Sequence, residues 1–191
     1  TWGSKLQQRL LELGKKVEVL NFGVGGYGMD QAYLRYLEIG VKYEPDIVIF
    51  GFSVENMFRN INIFRNYYKK NVSGISLSKP RFTLEEDELL LVNSPTVPID
   101  KIPIVLENFS DGPLAEHETF YRDDEFQDRF WHQSRFLSAV IALIRHHQLR
   151  RLDDPPNGEA FRLMIKIITE FRNHVEENNG QFLIAHLPPA N

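Results

Sequence analysis

The spacing of hydrophobic positions changes several times along the chain, and each change predicts an element. Leu6, Leu10 and Leu13 recur at helical spacing within Ser4–Leu13, and Gly14 follows as a stop, because glycine tolerates the left-handed cap. Val17–Leu20 is a short β-rich run that ends at Asn21 and opens into a cluster of glycines at Gly23, Gly25, Gly26 and Gly28. Helical spacing returns over Met29–Tyr43 through Ala32, Leu34, Tyr36 and Leu37, with Asp30 placed to cap the first turn and Pro45 barring continuation. Ile47–Phe50 is an unbroken apolar run between Asp46 and Gly51, the pattern of a strand buried on both faces. Strand, helix, strand in this order predicts a parallel sheet with crossover connections.

Residues 61–122 interrupt that rhythm with many aromatics, among them Phe64, Tyr67, Phe109 and Tyr121, and with five prolines from Pro80 to Pro113. They read as an insertion after the second strand. Within it, Arg81–Leu84 and Leu89–Val92 flank the polar turn Glu85–Glu88 and predict a small hairpin standing off the main sheet. A long helix is expected over Asp123–Leu152, with Phe126, Phe130, Leu137, Ile141 and Ile144 on one face. A second is expected over Glu159–Glu177, turning Phe161, Ile165, Ile168, Phe171 and Val175 inward. Phe182–Ala185 is the last predicted strand.

Composition narrows the function classes. With 191 residues, 42% apolar and 25% charged, the chain suits one globular domain carrying an insertion. The formal net charge of −4 argues against a general binder of nucleic acid or anionic membrane. The apolar run Phe136–Ile144 is cut off by Arg145, His146 and His147, well short of the roughly 18 residues of a membrane span. The absence of cysteine excludes disulfides, zinc–thiolate sites and cysteine nucleophiles, and leaves the compartment open. A start at Thr1 without methionine and a stop at Asn191 soon after an apolar run read as cuts through a larger protein.

The segment Gly23-Val24-Gly25-Gly26-Tyr27-Gly28 matches the Gly-x-Gly-x-x-Gly pattern between a strand and a helix, so a dinucleotide-binding, Rossmann-like module is one alternative. Polar Asn21, bulky Met29 and Tyr33, and the lack of an acid at the carboxyl end of the next strand weaken it; Asp46 lies at the wrong end. Turn geometry at positive φ accounts for Gly23, Gly25 and Gly28 without a ligand.

Taken together, Asn21-Phe22-Gly23-Val24-Gly25-Gly26-Tyr27-Gly28-Met29-Asp30-Gln31, then Pro45–Phe52, then Asn56 resemble the second and third sequence blocks of the SGNH/GDSL hydrolases. The resemblance implies a three-layer α/β/α, flavodoxin-like parallel sheet, incomplete at both ends of this chain. It also implies that the missing first strand lies between the strands at Val17 and Ile47, leaving backbone and apolar side chains exposed. The implied activity is hydrolysis of carboxylic esters, acyl or acetyl, on a lipid or carbohydrate, without metal or organic cofactor. Gly26 would offer a backbone N–H, and Asn56 a side-chain amide, to the oxyanion of the tetrahedral intermediate, each such donor contributing on the order of 3 kcal/mol. Members often carry aspartate after the block asparagine; here Met57 stands in that place.

Neither the Gly-Asp-Ser block nor the Asp-x-x-His block that supplies nucleophile and base in that family occurs in the chain. The expectation is a parent esterase whose fragment is inactive alone; acyl transfer by the same machinery and a non-catalytic relative that binds through its aromatic insertion are the alternatives. His186, following a strand's carboxyl end, is the histidine best placed to touch substrate. His117, His132, His146, His147 and His174 read as solvated helix or loop positions without a fixed partner. Glu85–Glu88 reads as a solvated turn, Ser53 as satisfying local backbone, and no ligand spacing for a metal is present.

Overall fold

The computed structural model describes residues 2–68, 77–122, 133–152 and 155–187. Its order is α1 (Trp2–Glu12), α2 (Met29–Glu38), β1 (Ile47–Phe52), α3 (Arg65–Tyr68), β2 (Arg81–Glu85), β3 (Glu88–Val92), α4 (Ile102–Glu107), α5 (Arg135–Arg150), α6 (Glu159–Glu177) and β4 (Gln181–His186), with short 3₁₀ turns between several of them. The architecture is mixed α and β around a small parallel sheet. β1 and β4 pair in parallel from Ile47↔Gln181 to Phe52↔His186.

One face of this pair is covered and the other is not. Phe50 and Phe182 meet Phe171 of α6 at ring separations of 5.4 and 5.0 Å, and Tyr33 and Tyr36 of α2 close over the same phenylalanine at 5.2 and 5.1 Å. On the opposite face Ile47, Ile49 and Leu183 remain 52%, 39% and 49% exposed. The expectation that Ile47–Phe50 is buried on both sides is therefore corrected: no described element packs against the second face.

Val17–Leu20 does not form the predicted strand. A strand exists only through a ladder partner, and here the Val19 N–H donates to Gln7 Oε1 at 3.0 Å instead. A Cβ on Gly3 would meet Asn21 and Val19 at 3.5 and 3.7 Å, so α1 lies directly against this segment. α1 stops as its glycine predicts: Gly14 has φ +74, and the Lys15 N–H bonds to the Leu10 carbonyl at 2.9 Å. α2 ends sooner than its periodicity suggests, at Glu38, and the chain tightens into a 3₁₀ turn over Gly40–Tyr43. The Tyr36 ring lies 3.0 Å from where a Gly40 Cβ would stand, so only glycine fits that turn beneath the ring.

α6 is present and keeps most of the predicted face: Phe171 and Val175 are buried and Phe161 and Ile168 pack against the core, while Ile165 turns outward. Ala160, Leu163, Met164, Ile167, Phe171 and Val175 are buried, whereas Ile165 is 47% exposed. Apolar residues cover so much of this helix that periodicity alone does not fix which stripe meets the sheet. Of the helix predicted over 123–152, residues 123–132, with Phe126 and Phe130, lie outside the described residues. In α5 itself Leu137 and Ile144 are exposed, not inward.

The hairpin β2–β3 turns at Glu86 and Asp87, both at positive φ (47° and 69°), as a tight two-residue connection requires. It belongs to a separate sheet yet does not stand clear of the core: Phe82 is buried against Tyr33 at 5.9 Å. The segment that opens the insertion is deeply buried, with Asn60, Ile61, Asn62, Ile63 and Phe64 each at most 3% exposed. Ile63, Phe64, Ile102 and Phe109 form a second apolar cluster, joined by Tyr67 and Tyr121. Among the described residues no helix is long and apolar enough to cross a membrane.

Candidate functional site

The glycine loop and the turn after β1 are the two segments that carry the predicted donors, and a buried asparagine joins them. Asn60, fully buried at the end of the 3₁₀ turn Val54–Arg59, accepts the Met29 N–H through Oδ1 at 3.1 Å, capping α2 from across the fold. Gly28 closes the same helix end locally by donating its N–H to Gln31 Oε1 at 3.2 Å. Glycine is required here by space, since a Cβ would lie 2.4 Å from Asp30 Oδ1 and 3.4 Å from Arg59 Cβ. The Arg59 guanidinium donates to the Tyr27 carbonyl at 3.3 Å, a second tie between the loop and the turn.

Asp30 serves the first turn of α2 as predicted, its Oδ1 accepting the Gln31 N–H at 2.8 Å. Its side chain is fully buried and pairs with the Lys79 ammonium, which also donates to the Pro80 carbonyl at 3.1 Å. Burial holds the Lys79 pKa below its ordinary value, and the neighbouring Asp30 carboxylate opposes that shift. This pair pins the strand leading into β2 beneath the glycine loop.

Of the loop glycines only Gly26 has positive φ, at +90°; Gly23, Gly25 and Gly28 do not, which corrects the expectation for those three. Gly23 instead donates its N–H to Asn21 Oδ1 at 3.0 Å. Gly26 is exposed, and a Cβ there would lie 3.0 Å from Arg65 Nη1. Its conformation and its arginine neighbour both select glycine.

Asn56 sits inside the 3₁₀ turn Val54–Arg59 and not at its start, so it does not cap that turn. Its backbone N–H bonds to the Ser53 carbonyl at 2.8 Å, which is how Ser53 satisfies local backbone. The Asn56 side chain is half-buried and its amide makes no hydrogen bond among the described residues. Met57, in the position where aspartate is common, is 5% exposed and belongs to the apolar core. It points into the fold, so it neither braces nor competes for the Asn56 amide.

His186 ends β4 opposite Phe52, with ring centroids 5.5 Å apart, and is exposed. The Leu187 N–H to Phe52 carbonyl bond, 2.7 Å, holds that end closed. Asn56 and His186 therefore share the carboxyl edge of the parallel pair, while Gly26 reaches the turn through Asn60 and Arg59. No hydrogen bond joins any two of the three.

His174 departs from its predicted solvated state, since it is half-buried and its Nδ1 lies 2.8 Å from the Tyr33 hydroxyl. Burial, with Glu170 and Glu177 nearby, pushes the Tyr33 pKa up to about 12. His117 is half-buried with Nε2 3.2 Å from Glu116, so it also has a partner. His132 lies outside the described residues. Among the described residues no group of three or more metal-binding side chains is assembled.

Beneath the site, Glu118 accepts the N–H groups of Ile63 and Phe64 at 2.6 and 2.8 Å and that of Phe120 at 3.2 Å. Burial raises its pKa, and those backbone donors oppose the rise. Arg81, 2% exposed, bonds the Ile61 carbonyl at 2.8 Å and Thr119 at 3.1 Å, and also the His117 carbonyl and the Glu159 carboxylate. These two residues fix the start of the insertion onto α6. Searches against family models, curated proteins and solved structures return no match. Any activity must accordingly be argued from the residues themselves.

Sequence reasoning did not single out Asn60, Lys79, Arg81, Glu118, Arg59 or Arg65. The one signal for Asn60 is the alternation Asn60-Ile61-Asn62-Ile63, which reads as a half-exposed strand although all four residues are buried.

Proposed function

We propose that this chain carries the oxyanion-binding part of a serine ester hydrolase of SGNH/GDSL type, acting on acyl or acetyl esters of a lipid or carbohydrate. The observation that carries the proposal is the Asn56 amide: half-buried, without a partner among the described residues, and set in a turn that Asn60 ties to the glycine loop. An amide held in this way is free to donate to charge that develops on a substrate, and the exposed Gly26 N–H is the second donor. The reading takes the finer fold to be a three-layer flavodoxin-like sheet. It explains the unpaired Val17–Leu20 and the free edge of β1 by a strand lying between them, and the open face of β1 by a helical layer over that sheet. It needs a serine nucleophile and a base beyond these residues, and it assigns His186 to the rim of the substrate site.

The test is turnover of a short-chain acyl ester by the intact protein, with Asn56→Ala compared. Loss of about 100-fold in kcat at unchanged KM is expected for a transition-state donor. Unchanged kcat in Asn56→Ala, or failure of the intact protein to turn over any acyl ester, would overturn the proposal.

A further inference from the structure

Two guanidiniums flank the glycine turn, and neither has a carboxylate partner among the described residues. Arg65 approaches Gly26 closely enough to stand 3.0 Å from the position of its missing Cβ, and its half-buried guanidinium makes no hydrogen bond or ion pair there. Arg59 spends one donor on the Tyr27 carbonyl and has no other partner. The backbone adds to this inventory. Gly23, Tyr27, Gly28 and Met29 all donate their N–H groups within the protein, whereas those of Val24, Gly25 and Gly26 meet no described acceptor.

In a chain with a formal net charge of −4, two neighbouring cations left without acids are a local excess of positive charge. Among the described residues, the two buried acids nearby are already committed, Asp30 to Lys79 and Glu118 to backbone N–H groups. Guanidinium presents a planar fork of donors that matches carboxylate and phosphate, and free backbone N–H groups at a glycine turn add neutral donors to such a site.

We infer that Arg65 and Arg59, with the free N–H groups of Val24 and Gly25, form a binding subsite for an anionic oxygen group, a carboxylate or phosphate carried by the ligand. Arg65 is the principal contact and Arg59 holds the turn in shape from the other side. The subsite would exist whether or not the chain belongs to a hydrolase. If it is combined with the proposed function, on which this extension rests, the substrate is an acyl ester of an acidic saccharide or of an acidic lipid headgroup, with the fixed anion anchored beside the scissile ester.

Binding is measured first, on the intact protein, by calorimetry and by amide chemical shifts, with glucuronate, glucose 6-phosphate and glucose as probes. Glucuronate or glucose 6-phosphate should bind and shift the Gly25 and Gly26 amides, while glucose should not; the stronger of the two anions identifies the group. Arg65→Gln should weaken that binding roughly tenfold or more, and Arg65→Lys less. Equal binding of glucose, shifts confined to other residues, or unchanged affinity in a folded Arg65→Gln protein would overturn the inference. If Arg65→Gln does not fold, the shifts in the unsubstituted protein decide the matter. Esterase turnover separates the two proposals: anion binding without turnover removes the hydrolase reading and keeps the subsite, whereas turnover without anion binding does the reverse.

Discussion

Asn60 Oδ1 accepts the Met29 N–H at 3.1 Å, so a residue at the end of the turn after β1 caps a helix that begins 31 positions earlier. The bond makes the glycine loop and the Asn56 turn one unit. Because Asn60 and Met29 are both buried, losing the asparagine leaves a buried helix terminus unsatisfied. Asn60→Ala should cost about 2 kcal/mol in urea unfolding, and the Met29 amide should exchange with solvent much faster. Unchanged exchange at Met29 would show that another group caps the helix.

The Asp30–Lys79 pair is a buried ion pair whose removal by halves is worse than its removal as a whole. Lys79→Met alone leaves the Asp30 carboxylate buried without its cation and should cost about 3 kcal/mol or more. Adding Asp30→Asn should recover much of that loss. A double-mutant cycle measured by chemical denaturation checks this; additive effects would contradict the coupling.

Glu118 serves three backbone N–H groups from a site where burial raises its pKa. The raised value means that its charged form is less favourable in the fold than in the unfolded chain. Its titration therefore favours folding below the ordinary carboxylate pKa, and that contribution fades as pH rises through the folded value. Glu118→Gln should flatten this pH dependence and keep the acceptor for Ile63 and Phe64. Glu118→Ala, stripping the acceptor altogether, should destabilise by about 3 kcal/mol at every pH. Unfolding midpoints across a pH series distinguish the two variants.

Tyr33, buried between α2 and α6 and bonded to His174, should ionise near pH 12 instead of near 10. Its raised pKa favours the fold fully below pH 10, and this contribution is lost as the pH climbs towards 12. Ultraviolet titration of tyrosinate, compared between the unsubstituted protein and Tyr33→Phe, should show the late-ionising amplitude fall by one tyrosine, the remainder belonging to Tyr36 and Tyr67, whose pKa values burial also raises. A Tyr33→Phe protein with the same titration curve would place the late ionisation elsewhere.

Much of the element order is legible in local pattern. The stop at Gly14, the start of α2 after the glycine cluster, β1 after Pro45, and α6 leading to β4 each follow from residues within a few positions of one another. Failures occur where a partner is required. Val17–Leu20 has the composition of a strand but no ladder, and Ile47 and Ile49 have the composition of a core but no cover. α6 has the predicted length and most of the predicted face, but Leu163, Met164 and Ile167 join that face and Ile165 leaves it, because the stripe that turns inward is chosen by the elements it packs on.

The candidate site divides the same way. The sequence by itself determined that Asn56 follows β1 and that His186 lies at the end of β4, since strand and loop composition are local properties. It also determined the residue types available for chemistry, including the absence of cysteine. Only the tertiary structure decided that Asn60 caps Met29, that Asp30 meets Lys79, and that Arg65 stands over Gly26. Each of these joins positions tens of residues apart, and hydrogen bonds and ion pairs depend on distance in space, which spacing along the chain does not encode.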